Sequence, residues 1–321
     1  MRLCDLDVRI EGTWVEGCIG RLRDELAARG LRLRPHHWVS SEWFTPVGVP
    51  GIAIPFYLLH PRLMRLERRQ MLEVEGGSRD SCIKLLRHEC GHAIQQAYRL
   101  HRRRRWQRHF GKASTPYPDS YRPRPASRRF VQHLPLHYAQ SHPDEDFAET
   151  FAVWMQPRHR WRRRYEGWPA LAKLEYVDEL MGELRGAPAP VRSRRHVDPL
   201  TRLRTTLAEH YEERRRQYGT DAFDVYDRDL RRVFSDDPRH GDWPRAGALL
   251  RRHRREIRAG VSRWTGEHQF ILEQVLDDMI QRARELDLRA VGDEARLLTD
   301  FSLMLAVHTT RSLYDRRRLP M

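Results

Sequence analysis

Residues 79–100 (RDSCIKLLRHECGHAIQQAYRL) contain no proline, and their small and apolar positions recur at helical spacing. Cys82, Leu86, Cys90, Ala93 and Ala97 share one stripe, which predicts a helix buried along that side. Gly76-Gly77 breaks the chain just ahead of it, and Ser78 or Asp80 can cap its start. His88 and His92 are four residues apart on this helix. At about 3.6 residues per turn they project from one face and can grip a single ion. Glu89 lies beside that face, able to reach a water on the ion but not the ion itself. The H-E-x-x-H spacing therefore predicts a zinc site. Zinc lowers the pKa of its water to about 7, and a neighbouring carboxylate takes the proton.

A catalytic zinc usually takes three protein ligands and keeps a fourth position for water. The extension H-E-x-x-H-x-x-G-x-x-H fails here, because Gln95 and Tyr98 stand where its glycine and histidine belong. A carboxylate from a later helix is the other solution, and residues 138–154 (YAQSHPDEDFAETFAVW) offer one. Ser141 or His142 suits an N-cap, Pro143 the first helical position, and acids the first turn. Phe147, Phe151 and Trp154 form an i, i+4, i+7 stripe that anchors the helix in a core. Glu145 and Glu149 then share a face, where like charges four apart repel unless a cation lies beside them. Glu145 is assigned to zinc and Glu149 to the ring N–H of a zinc-bound histidine. Glu149 or Asp146 as the third ligand is the alternative. Tyr138, seven residues before Glu145, can donate to a developing oxyanion, although a packed loop tyrosine accounts for its position equally well. His133, His137 and His142 lie in the same loop and can take that role or sit at the surface. Cys90 falls between the two histidines but on the packing stripe, and is not counted as a ligand.

Elsewhere the chain reads as mixed structure over residues 1–79. A short helix is expected at Arg21–Arg29, strands at His37–Phe44 and Gly51–Leu59, and another helix from Pro61. Prolines 116, 118, 123 and 125 make 111–129 a loop. Helices follow near 143–156 and 170–184. Gly186-Ala187-Pro188-Ala189-Pro190 is the best boundary candidate, and beyond it helices near 200–217, 222–234, 245–259, 266–286 and 293–316 are expected. The reading is a predominantly helical α+β chain. A catalytic domain with a small sheet spans 1–185, a linker 186–198, and an all-α region 199–321.

No run of about 18 apolar residues exists, so no membrane span is expected. Asp5, Asp7 and Arg9 interrupt the start where a secretory signal needs an apolar run, which argues for a cytoplasmic location. Four scattered cysteines, none in a C-x-x-C pair, predict reduced thiols and no zinc ribbon. The net charge of +15 rests almost wholly on arginine, since lysine occurs only at 84, 112 and 173. The arginine clusters at 101–109 and 158–165 are solvated helix faces or meet an anionic partner. Acidic peptides are the first substrate class they suggest, and nucleic acid is a partner not favoured over it.

H-E-x-x-H followed by E-x-x-x-E on a later helix resembles the gluzincin metallopeptidases. Tyr138, Glu145 and Glu149, with Phe147-Ala148-Glu149, are similar in spacing to the catalytic domain of the anthrax lethal factor type. Runs such as LLRHECGHAIQQAYRLHRRRRW and YAQSHPDEDFAETFAVW resemble a bacterial family of zinc-binding metallopeptidases, over roughly residues 30–185. The resemblance implies a zincin-like fold with a small sheet on the active-site helix. It also implies zinc as cofactor, Glu145 as ligand and Tyr138 at the oxyanion. An edge strand pairing with the substrate backbone is part of such folds, and residues 51–59 are the candidate. The expected activity is hydrolysis of peptide or isopeptide amide bonds. A nucleic-acid-associated protease and a non-catalytic, zinc-bound peptide-binding scaffold are the alternatives. Glu89 argues against the scaffold, since a purely structural site has no use for a base.

Overall fold

The computed structural model describes residues 1–118, 120–157, 160–217, 226–315 and 319–320. They divide into two compact units. The first comprises Met1–Gln70 and Val74–Tyr211; the second comprises Met71–Glu73 and Glu212–Pro320.

From the N-terminus the helices run α1 (Trp14–Ala28), α2 (Pro61–Met71), α3 (Arg79–Tyr98), α4 (Arg104–Phe110), α5 (Pro143–Met155), α6 (Trp161–Arg164) and α7 (Ala170–Glu183), and the two predicted stripes fall on α3 and α5. Ser78 caps α3, its side chain accepting from the Ser81 amide, and Arg99 ends it in the left-handed region at φ 52°. The predicted stripe Cys82, Leu86, Cys90, Ala93 and Ala97 is fully buried, as are Phe147 and Phe151 of α5. A buried bidentate pair ties α1 to α3: Arg87 donates to Glu25 through Nε (2.7 Å) and Nη2 (2.6 Å). Removing one partner of such a pair costs about 3–5 kcal/mol, because the other charge stays buried alone.

The sheet is small. Strands β1 (His36–Ser40) and β2 (Gly51–Pro55) pair in parallel, from His36 opposite Gly51 to Ser40 opposite Pro55. The chain is thus α+β and mostly helical, as expected. The candidate substrate-pairing edge at 51–59 needs correction. Every residue of β2 is buried. β1 covers one side, and the Ala53 amide donates to the Phe44 carbonyl on the other at 2.9 Å. Phe56–Leu59 then turns into a 3-10 helix. The run of apolar residues without alternation reflects burial of both faces, and Phe44 closes the edge.

Residues 186–198, expected as a linker, lie within the first unit. The Gly186 and Val191 amides donate to Gly30 O (3.0 Å) and Ala97 O (3.1 Å), and Trp38 Nε1 donates to Val197 O (2.9 Å). Proline and alanine here specify an extended backbone laced onto the core. The division falls between Tyr211 and Glu212 instead, inside α8 (Leu207–Gln217).

The second unit is helical: α9 (Asp227–Val233), α10 (Ala246–Thr265), α11 (Gln269–Glu285) and α12 (Glu294–Asp315). Leu272, Val275, Leu276, Met279 and Ile280 bury α11 against Leu250, Ile257, Val261, Phe301 and Leu305. Phe270 and Ile271 stay half-buried. Gly247 allows α10 close to α11, since a β-carbon there would meet Ile280 O at 3.2 Å. No helix among the described residues is long and apolar enough to cross a membrane.

Glu267, only 1% exposed, accepts the His268 amide on Oε1, while Oε2 has no hydrogen-bond partner. Burial lifts its carboxyl to about 7. An unfolded glutamate ionises near pH 4.3, so between that value and about 7 the unfolded chain has released a proton the fold still keeps. Its stabilising effect is therefore complete below pH ~4.3 and is lost as pH rises through ~7. Amide exchange of α10 and α11 should speed up between pH 5 and 8 beyond the intrinsic base-catalysed rate. In Glu267→Gln that excess should largely vanish; an equal pH response in both proteins would contradict it.

Candidate metal centre

His88, His92 and Glu145 come together at the contact between α3 and α5, and among the described residues they form a group that could hold a metal ion. His88 Nε2 lies 3.0 Å and His92 Nε2 3.1 Å from Glu145 Oε2, with the two ring nitrogens 3.2 Å apart. A tetrahedral zinc with bonds of about 2.0–2.1 Å needs donors about 3.3 Å apart, so the donor set and its spacing fit this ion.

The helices can bring these groups together because of one small-residue contact. A β-carbon on Gly91 would lie 2.7 Å from Ala148 Cα and 3.0 Å from Ala148 O. Gly91 stands three residues after His88 and one before His92. Ala148 stands three after Glu145 and one before Glu149. The closest backbone approach is therefore flanked on both helices by the groups that meet.

Glu149 is fully buried and divides its carboxylate. Oε1 lies 2.9 Å from His88 Nδ1, and Oε2 accepts the Leu134 amide at 2.7 Å. With Nδ1–H donating to Glu149, Nε2 of His88 is left as the free ligand atom. Burial by itself would depress the His88 pKa, but the hydrogen bonds to Glu145 and Glu149 carry it well above the usual histidine value. Against the burial penalty, the charge of His92 and the hydrogen bonds from both rings hold Glu145 well below the carboxylate range. The two shifts share one cause, the attraction between the rings and the carboxylates, seen from each side.

Asp146, weighed as another ligand, points elsewhere and pairs with Lys173 at 2.6 Å. His142, rather than Ser141, caps α5, its Nδ1 accepting the Asp144 amide while Nε2 donates to Thr115 O at 2.8 Å. His133 donates to Lys84 O at 3.0 Å, and burial lowers its pKa to about 4. Neither is free to serve the centre.

Glu89 is 6% exposed, and its Oε2 has no hydrogen-bond partner in the protein, an acceptor left for something else. The Tyr138 ring centroid is 5.7 Å from that of His88. Burial and the charges of Glu145 and Glu89 raise its phenol well above the usual value, so it stays protonated and able to donate. The turn that delivers it is strained: Leu136 and His137 both take positive φ, 58° and 57°. Such conformations cost about 1–3 kcal/mol each for residues other than glycine.

Sequence reasoning missed Tyr117, whose hydroxyl donates to Glu145 Oε1 at 2.9 Å and whose ring stacks on His142. A tyrosine between two prolines in a long loop carries no periodicity, so spacing had no signal to offer. The arginine clusters prove partly neutralised. Arg103 pairs with Glu183, Arg105 with Glu179 and Arg162 with Asp178. Arg158 and His159 lie outside the described residues. All four cysteines are free thiols.

Two histidines and one glutamate thus form a candidate metal group at a helix pair, a donor set that zinc sites use. Residues 65–162 match the model of a family described as "putative zinc-binding metallo-peptidase". That stretch contains every residue of the cluster, and the family is the one the sequence resembles. No curated protein and no solved structure matches the chain. The similarity to lethal factor remains one of motif spacing.

Two outcomes follow from this geometry. Gly91→Ala should push α5 off α3, destabilise the first unit by about 1–3 kcal/mol and weaken zinc binding; a variant with parental melting and zinc titration would contradict the close approach. Glu145→Ala should reduce zinc affinity far more than Glu149→Ala, for which a loss of about 10–100-fold is expected. Competition titration with a chelator reads both, and the reverse order would exchange the two roles.

Proposed function

We propose that this protein is a zinc-dependent peptidase that hydrolyses peptide or isopeptide amide bonds. The observation that carries the reading is the buried Glu89 oxygen without a protein partner, one helical step from a His88–His92–Glu145 group whose donors are 3.0–3.2 Å apart. A structural site would have no need of that acceptor.

His88, His92 and Glu145 would hold the ion, and Glu149 would orient the His88 ring. Zinc bound there supplies a water of pKa about 7 and polarises the scissile carbonyl. Glu89 accepts the proton of the attacking water as the new C–O bond forms. It then returns that proton to the leaving nitrogen as the C–N bond breaks. Tyr138, kept protonated, donates to the carbonyl oxygen as charge develops on it. Burial of His88, Glu89, Glu145 and Glu149 keeps competing water away and strengthens each interaction.

Glu89→Gln is the direct test. The amide cannot accept the proton, so the variant should bind zinc and fold like the parent. Its turnover should fall by about 10²–10⁴-fold in an unbiased peptide-library cleavage assay. Parental turnover in Glu89→Gln would remove Glu89 from the chemistry. A parent that purifies with about one zinc yet cleaves nothing would favour a zinc-bound scaffold.

A further inference from the structure

Glu145 sends its two oxygens to different tasks. Oε2 faces His88 Nε2 and His92 Nε2, whereas Oε1 is taken by the Tyr117 hydroxyl at 2.9 Å. We propose that Tyr117 is a positioning residue that reserves Oε1 and so holds Glu145 to a single oxygen toward the metal. This rests on the zinc reading above and extends it to how the coordination number is set.

A carboxylate can approach a metal through one oxygen or two, and the second oxygen would occupy the place that water needs. The Tyr117 phenol opposes that by giving Oε1 a donor of its own. Several features aim it there. Pro116 and Pro118 flank it, fixing φ on either side and restricting the residues before them. Its ring stacks on His142 with centroids 3.7 Å apart and planes 17° apart. His142 is itself held at both nitrogens, by the Asp144 amide and Thr115 O. Between the phenol and the carboxylate the direction is settled by chemistry, since a carboxylate oxygen only accepts and the hydroxyl donates.

Tyr117 is also 49% exposed. A tyrosine serving only to fill the core would be enclosed. This one keeps a face in solvent while its hydroxyl reaches a carboxylate that is 5% exposed, the placement of a side chain that meets the site from its open side.

The test compares metal binding and ligand geometry, not activity alone. In the full-length protein loaded with cobalt(II), visible absorption separates four-coordinate from higher-coordinate sites. Tyr117→Phe keeps the ring and its stack and removes only the hydroxyl. It should weaken zinc binding by about 10–100-fold and shift the cobalt spectrum towards higher coordination, with the melting temperature little changed. A spectrum identical to the parent's overturns the proposal, even if affinity falls, because a mere loop anchor would act that way. Should Tyr117→Phe not fold, Tyr117→Leu, which keeps apolar bulk and removes the donor, decides. A higher-coordinate spectrum supports the proposal and a parental one overturns it. If the parent takes up neither zinc nor cobalt, the site reading fails and this proposal with it; if the parent binds and only the variant comparison fails, the zinc reading stands alone.

Discussion

The contact between Gly91 and Ala148 is the constraint on which the rest of the centre depends. Any side chain at position 91 would occupy the space of the α5 backbone. With both residues small, the two helices meet at backbone distance, and short side chains suffice to bridge them. Histidine and glutamate have limited reach. Moving the axes apart by one methyl layer would leave Glu145 short of both rings and Glu149 short of His88. The order of residues around the contact is the same on both helices, so one approach aligns two pairs at once.

That approach gathers four ionisable side chains with almost no solvent, an arrangement that costs several kcal/mol per uncompensated charge. Hydrogen bonds offset part of the cost: Glu149 is satisfied on both oxygens, and Glu145 on both. The surroundings are braced as well. Glu25 and Arg87 lock α1 to the outer side of α3, and Lys173 holds Asp146 of α5 from α7. Apolar packing of Phe147 and Phe151 does the rest, at roughly 1.5–3 kcal/mol per buried ring. The α3–α5 pair is therefore fixed from three directions.

Much of this was legible from sequence wherever periodicity carried it. The α3 stripe, the α5 stripe, the pairing of His88 with His92 and the reach of Glu145 and Glu149 all follow from 3.6-residue spacing, and the structure brings these residues together. What escaped depended on contacts between segments distant in sequence. Tyr117 reaches Glu145 across a loop of prolines, and Leu134 offers a backbone amide, which has no sequence signature at all. Residues 51–59 looked like a substrate-pairing edge because a single strand does not reveal what flanks it. Residues 186–198 looked like a linker because proline and alanine signal extended chain, whereas attachment is decided by where the carbonyls of 30, 97 and 197 meet their donors. The break at Tyr211 falls inside a helix, where composition does not change.

Glu149 has a consequence for the loop that carries Tyr138. One of its oxygens steadies the ring of His88, and the other receives the Leu134 amide, two residues before the strained pair Leu136 and His137. A single carboxylate thus belongs to the centre and to the loop at once. Linkage is reciprocal: by however much the hold on His88 alters the ordering of the loop, the loop alters the hold on His88 by the same free energy. The ring of His88 and the turn that carries Tyr138 are thus pinned by one buried side chain, and neither can be repositioned without disturbing the other's anchor.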